Sequence, residues 1–199
     1  MRTTAEQLKK AMAAAGHKLF SRGDYNLNLI GIRSNDTKAN TFNDLLCVLY
    51  KQNGQDVLLQ FACTTDPGTY YRENPLNVNG TAIVKPGQYK GLWQLGRHQG
   101  KYPALVQRSE ITVFRDNDGN KELNLADCVE ETGYFGINLH RASEQGLASQ
   151  VDKFSAGCQV IQNPDDYAML IALCRRGAEL HGNSFTYTLL TQQKLEAGS

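Results

Sequence analysis

The sequence shows no surplus of charge of either sign. Its 21 Lys and Arg stand against 20 Asp and Glu, a formal net charge of +1. A protein that grips a nucleic-acid backbone normally carries a basic excess, because each phosphate contact needs a cation, so that class is not expected. No apolar run approaches the roughly 20 residues that span a bilayer, so membrane insertion is not expected either. No secretory signal is expected at the N-terminus, since the apolar cluster Ala11 to Ala15 is too short and weak for an h-region. The expectation is synthesis in the cytoplasm. No Cys-x-x-Cys pair occurs among Cys47, Cys63, Cys128, Cys158 and Cys174. A disulfide framework, a structural zinc site or another metal or cofactor is therefore not anticipated. An odd count leaves at least one thiol without an intramolecular partner.

Repeats, low-complexity tracts and a clear linker are also missing. What is present is an ordinary globular composition, 41% hydrophobic and 21% charged over 199 residues, enough for a core without staples. Residues 4–15 read as an amphipathic helix, with Thr4 and Gln7 at capping-box spacing, Leu8 and Met12 on one face and Gly16 as its stop. Residues 45–50 and 57–61 read as strands joined at Asn53-Gly54. Strands are also expected at 81–84 after Asn79-Gly80, at 89–95 after Pro86-Gly87, at 134–140 and at 185–190. Residues 111–114 and 123–125 flank Asp118-Gly119 as a third hairpin. A second helix starts at the Asn163 cap with Pro164, Asp165 and Asp166, buries Tyr167, Leu170, Ile171 and Cys174, and ends at Gly177 or Gly182. The fold class is α+β. A single β-rich domain fills 1–199, with an N-terminal helical extension over 1–40 and a core over 41–190.

Chemistry concentrates in two segments. In Gly136-Ile137-Asn138-Leu139-His140-Arg141, strand alternation sends Phe135, Ile137 and Leu139 to one face and Gly136, Asn138 and His140 to the other. In Phe154-Ser155-Ala156-Gly157-Cys158-Gln159-Val160, small residues let a substrate backbone approach the thiol. The amides of Gly157 and Cys158 are candidate oxyanion donors. A free thiol is only a few per cent thiolate at neutral pH, and a neighbouring imidazole can take its proton and hold an ion pair. His140 and Cys158 are the candidate dyad, with Asn138, Ser155, Arg141 and Gln159 as orienting or substrate-binding residues. The bland reading stands beside it: a cysteine among small residues is commonly a packed core thiol.

His140, a loop, and Ser155-Ala156-Gly157-Cys158 resemble the motif of L,D-transpeptidases, the YkuD-type domain: a strand-ending histidine, a loop, then Ser/Thr-His-Gly-Cys. The resemblance is to a divergent member of phage or gut-bacterial type. Val84-Lys85-Pro86-Gly87-Gln88-Tyr89 is a partial match to a further upstream stretch of the family. The resemblance implies a YkuD-like β-sandwich or barrel with a helix after the cysteine. It also implies attack by Cys158 on a peptidoglycan stem peptide, a thioester, and resolution by an amine or by water. Lacking a signal, such a chain would reach the cell wall through a holin or a secretion system, and would cut as a carboxypeptidase or endopeptidase. The sequence departs from the motif at Ala156, Arg141 and Gln159-Val160, which affects the substrate subsite and the balance of transfer against hydrolysis. A binding module that keeps the fold without the chemistry is the alternative, and acyl transfer to a different amide is a third reading.

Other residues read as structural. The acidic turn from Asp116 to Asn120 has Lys121 where a calcium loop needs glycine, so it is a turn. His98 reads as a solvated loop residue and His17 as a surface group after the first helix. A papain-like pairing of His181 with Cys158 is disfavoured by its short spacing. Cys47, Cys63 and Cys174 read as core, and Cys128 as a thiol in acidic surroundings.

Overall fold

Eight strands close into a barrel in a computed structural model of the chain, which describes residues 1–197 apart from Ala39, Asn124 and Asp127. In chain order the elements are α1 (Ala5–Ala14), β1 (Asn28–Arg33), β2 (Asp44–Gln52), β3 (Gln55–Thr64), α2 (Thr69–Glu73), β4 (Thr81–Val84) and β5 (Gly87–His98). There follow β6 (Tyr102–Gln107), β7 (Ile111–Asp116), β8 (Val129–Gly133), β9 (Leu139–Arg141), β10 (Gln159–Ile161), α3 (Pro164–His181), β11 (Phe185–Thr191) and α4 (Gln192–Ala197). The barrel runs β1-β11-β5-β6-β9-β10-β3-β2, and β4, β7 and β8 form a separate three-stranded sheet. The α+β, β-rich class holds.

Local chemistry explains the best-defined pieces. Asn53 and Gly54 both take positive φ, the geometry of a two-residue hairpin turn, and bring Gln52 opposite Gln55. At α1 the capping box forms in both directions, with Gln7 N donating to Thr4 Oγ1 (3.2 Å) and Thr4 N donating to Gln7 Oε1 (3.0 Å). At α3 the Asn163 side chain accepts from Asp165 N (2.8 Å), and Gly182 at φ +91° ends the helix. Its buried face, Tyr167, Leu170, Ile171 and Cys174, joins the same apolar cluster as the barrel interior. On the outer side of β1 and β2 a second cluster gathers Leu8, Met12, Ile30, Ile32, Cys47, Leu190 and Leu195, so α1 and α4 cover that wall together.

Three expectations change. β1 lies in the barrel between β11 and β2, so residues 1–40 are not merely a helical extension. It buries Leu29 inward and Ile30 and Ile32 outward, which erases the apolar–polar alternation that marks a half-buried strand. β7 pairs with β8 from Ile111↔Gly133 to Arg115↔Val129, not with residues 123–125; of these, Asn124 lies outside the described residues. The strand expected at 134–140 is reduced to Leu139–Arg141. Among the described residues no helix is long and apolar enough to cross a membrane.

Candidate active site

The stretch before β9 is extended but not laddered, because side chains take its backbone groups. Gln107 Oε1 accepts from the amides of Phe135 (3.1 Å) and Ile137 (2.8 Å), and Gln107 N donates to Asn138 Oδ1 (2.9 Å). The fully buried Trp93 indole donates to Ile137 O (2.8 Å). Ile137 and Leu139 enter the core as alternation predicts, while Gly136, at φ +72°, turns its carbonyl aside. That carbonyl meets the thiol: Cys158 Sγ donates to Gly136 O at 3.4 Å, and Asn138 N donates to the sulfur at 3.4 Å.

The cysteine sits at the end of a locked turn. Ser155, fully buried, donates its hydroxyl to Cys158 O (2.8 Å) and accepts from Gly157 N (3.2 Å). Gly157 adopts φ +124°, and a Cβ there would lie 2.6 Å from Ala82 O, so only glycine fits. These bonds fit the orienting rather than the substrate-binding role expected of Ser155, and change the expectation for Gly157. Ser155 holds the turn and is sealed from substrate. The Gly157 amide is occupied by Ser155, which leaves the Cys158 amide as the donor with no acceptor among the described residues. Gln159 points into the barrel, accepting from Tyr187 Oη (2.6 Å) and donating to Gly157 O (3.3 Å) and Thr65 O (3.5 Å), so it too braces the turn.

β9 and β10 are parallel neighbours. Val160 is in register with His140 and Gln159 with Leu139, and Gln159 N donates to Asn138 O (2.9 Å). Cys158 immediately precedes β10 and His140 lies in β9, so they stand two register steps apart, both alternating with Gln159 and Leu139, which face the barrel interior. His140 is buried. Its Nδ1 lies 2.8 Å from Arg141 O, which can only accept, so Nδ1 carries the proton and Nε2 is the bare, basic nitrogen. Tyr102 Oη contacts the same carbonyl (3.4 Å) and His140 Nδ1 (3.3 Å). Arg141 orients the ring through its backbone, while its guanidinium lies over the Tyr102 ring (4.4 Å) and pairs with Glu144 (3.3 Å).

A second imidazole completes the site. His98, at the end of β5 rather than in a solvated loop, stacks on His140 with ring centroids 4.0 Å apart. Its Nδ1 is 3.2 Å from Asn138 Nδ2; the Asn138 amide oxygen accepts from Gln107, so Nδ2 donates to His98. Asn138 thus links both segments to the second histidine. The sequence cue for His98 was its distance from Tyr102 across a tight hairpin, but nothing local marked the stacking. His181 contacts Asp24 O (2.8 Å), outside this site. Cys47, Cys63 and Cys174 are buried core thiols, while Asp127, the acidic neighbour of Cys128, lies outside the described residues.

Burial dominates the electrostatics. It pushes the Cys158 thiol up to about 11, partly offset by the Asn138 amide. Burial, then the neighbouring His98, hold His140 down to about 4, against the opposing hydrogen bond to Arg141 O. At neutral pH the resting site therefore holds a thiol and a neutral imidazole, not the ion pair expected from sequence. Cys158, His98, Asn138, Gly136, Ala156 and Arg115 line a cleft of about 500 Å³ between the barrel and the three-stranded sheet. Arg115 carries no sequence signal, since a lone arginine in a strand is unremarkable. Comparison of the chain with protein families, curated proteins and solved structures finds no match. The chemistry is read from the site itself.

Proposed function

We propose that the chain is a cysteine-dependent acyl-transfer enzyme resembling the L,D-transpeptidases. It works on peptidoglycan stem peptides, delivered by a holin or secretion system, as a carboxypeptidase or endopeptidase. The observation that carries this reading is a half-buried thiol on a glycine-locked turn, beside a strand whose histidine has its basic nitrogen left free by a backbone carbonyl. His140 Nε2 takes the thiol proton as Sγ bonds to the peptide carbonyl carbon, and the carbonyl electrons move to oxygen beside the Cys158 amide. Collapse breaks the C–N bond, the departing amine takes the proton from His140, and a thioester remains. Water or an acceptor amine then attacks the thioester, gives a proton to His140, and releases Cys158 as the leaving group, which recovers that proton. Because both groups are neutral at rest, the base acts during attack and not before it.

The reading is tested by incubating defined muropeptides with the protein and following fragments by mass spectrometry. The expected result is cleavage or exchange at a stem-peptide amide that disappears in Cys158→Ala with the fold intact. Full activity in that variant, or intact muropeptides with a labelled thiol, would overturn it, the latter in favour of acyl transfer to a different amide. One observation favours the second reading, a fold-retaining binding module without chemistry: the thiol donates to the Gly136 carbonyl, not to an imidazole. In that case Cys158→Ala and His140→Gln would leave ligand binding unchanged and no thioester would form.

A further inference from the structure

We infer that His98 is the second oxyanion donor of this site, its Nε2–H joining the Cys158 amide at the oxygen of the attacked carbonyl. The inference rests on the acyl-transfer reading and deepens it.

The need arises in the turn. Ser155 Oγ takes the Gly157 amide (3.2 Å), so of these two consecutive amides only that of Cys158 is left for a developing charge. Oxyanion sites commonly aim more than one donor at that oxygen, and removing a donor costs about 10²–10³-fold in rate.

The supply is a tautomer fixed from a neighbouring strand. Gln107 N donates to Asn138 Oδ1 (2.9 Å), which turns the amide nitrogen, Nδ2, toward His98 Nδ1 (3.2 Å). A ring nitrogen that accepts there bears no proton, so in the neutral imidazole the proton sits on Nε2. Burial, and then Lys101, lower the His98 pKa from its ordinary value, which keeps the ring neutral at pH 7. Its Nε2–H meets no acceptor among the described residues, and the half-buried ring lines the same cleft as Cys158. Asn138 joins the two ends: its backbone N touches Sγ (3.4 Å) while its side chain holds the imidazole. Thr81, another hydroxyl donor on the cleft wall, is spent on Tyr71 O.

The two stacked rings thus carry opposite tautomers and opposite duties. His140, with its proton held on Nδ1 by Arg141 O, presents a bare nitrogen and serves as base. His98 presents an N–H and can only donate. As Sγ bonds to the carbonyl carbon, the π pair moves to oxygen and is held there by the two hydrogen bonds. His98 gives up no proton, and collapse returns the pair as the leaving group departs.

The test uses the full chain at pH 7 and two reagents for Cys158, with both rates read by mass spectrometry of the intact protein. Acetylation by p-nitrophenyl acetate passes through an oxyanion: the Sγ–C bond forms, His140 takes the thiol proton, and p-nitrophenolate leaves. Alkylation by iodoacetamide displaces iodide at a saturated carbon and forms none. His98→Phe, which keeps a ring over His140 but loses the N–H, should slow acetylation about 10²-fold and alkylation less than about 2-fold. His98→Gln, which keeps an N–H, should bring acetylation back to within about 5-fold of the wild type. Long-range proton–nitrogen correlation spectra of the wild type should show the His98 proton on Nε2, a result that needs no variant to fold. A proton on Nδ1, equal slowing of both reactions, slowing of neither, or acetylation of His98→Gln as slow as that of His98→Phe would overturn the inference alone. A wild type that is alkylated but never acetylated would overturn the acyl-transfer reading, and the inference with it.

Discussion

Two parallel seams interrupt the antiparallel order of the barrel, and they differ in length and cover. The β1–β11 seam runs for five register pairs, Leu29↔Tyr187 to Arg33↔Thr191. Its outer face, Ile30, Ile32 and Leu190, is sealed by α1 and α4. The β9–β10 seam has only three pairs, and the chain leaves the ladder just before it on both strands. The long seam pairs its backbone internally and contributes stability. The short one ends where Gly136 O and Asn138 N fall free of the ladder and meet the sulfur, and the Cys158 amide has no acceptor among the described residues. Truncating a parallel pair is thus what exposes polar backbone at a site without leaving it buried and unpaired. The seams are also coupled through the interior: Gly31 leaves room for the Tyr187 hydroxyl, which donates to Gln159 beneath the Cys158 turn.

The largest expected difference between the seams is chemical. Cys158→Ala should reduce turnover to background, and His140→Gln should lower it about 10²–10⁴-fold, both with unchanged circular dichroism. The corresponding damage to the long seam is thermodynamic: Leu8→Ala, at a fully buried site over β1, should cost about 2–5 kcal/mol in urea unfolding while leaving turnover unchanged well below the midpoint. Gly157→Ala should do both on a smaller scale. Strain at φ +124° and the clash with Ala82 O should cost about 1–3 kcal/mol, and turnover should fall as the turn moves.

Acid behaviour gives a subtler separation. His140 titrates at about 4 when folded and near 6.5 when unfolded, so below the unfolded value only the unfolded chain takes up this proton. His140 should therefore withdraw a few kcal/mol of stability as pH falls from about 6.5 to 4, a loss that His140→Gln removes in urea melts at pH 7 and 4.5. Turnover, which needs the neutral ring, should persist down to about pH 4–5. The smallest expected effect is that of His98→Gln: without the stacked imidazole, the acid limb of the rate profile should move upward toward the ordinary histidine range.

Where one local interaction decides the structure, the sequence was legible. The Thr4–Gln7 box, the Asn53-Gly54 turn and the Asn163-Pro164 cap each close within a few residues, and each formed as read. The cysteine and histidine segments were legible for a similar reason, since small residues before Cys158 and alternation before His140 are local features. Three features were hidden because distant residues decide them. β1 loses its alternation because helices from both chain ends bury its outer face. Residues 134–138 read as strand, yet Gln107 and Trp93 take their backbone groups. Burial reversed the expected ion pair, and His98 and Arg115 reach the cleft through hairpin and sheet pairing that no short window reveals.

The most direct measurement is the rate at which a neutral alkylating reagent labels Cys158 at pH 7 in the wild type and in His140→Gln. A thiol held at about 11 with no base beside it is ionised in roughly one molecule in 10⁴ at that pH, far less than a free cysteine. The account predicts at least about 10-fold faster labelling with His140 present. Equal, slow labelling of both proteins would mean that the imidazole does not serve the sulfur, and would contradict it.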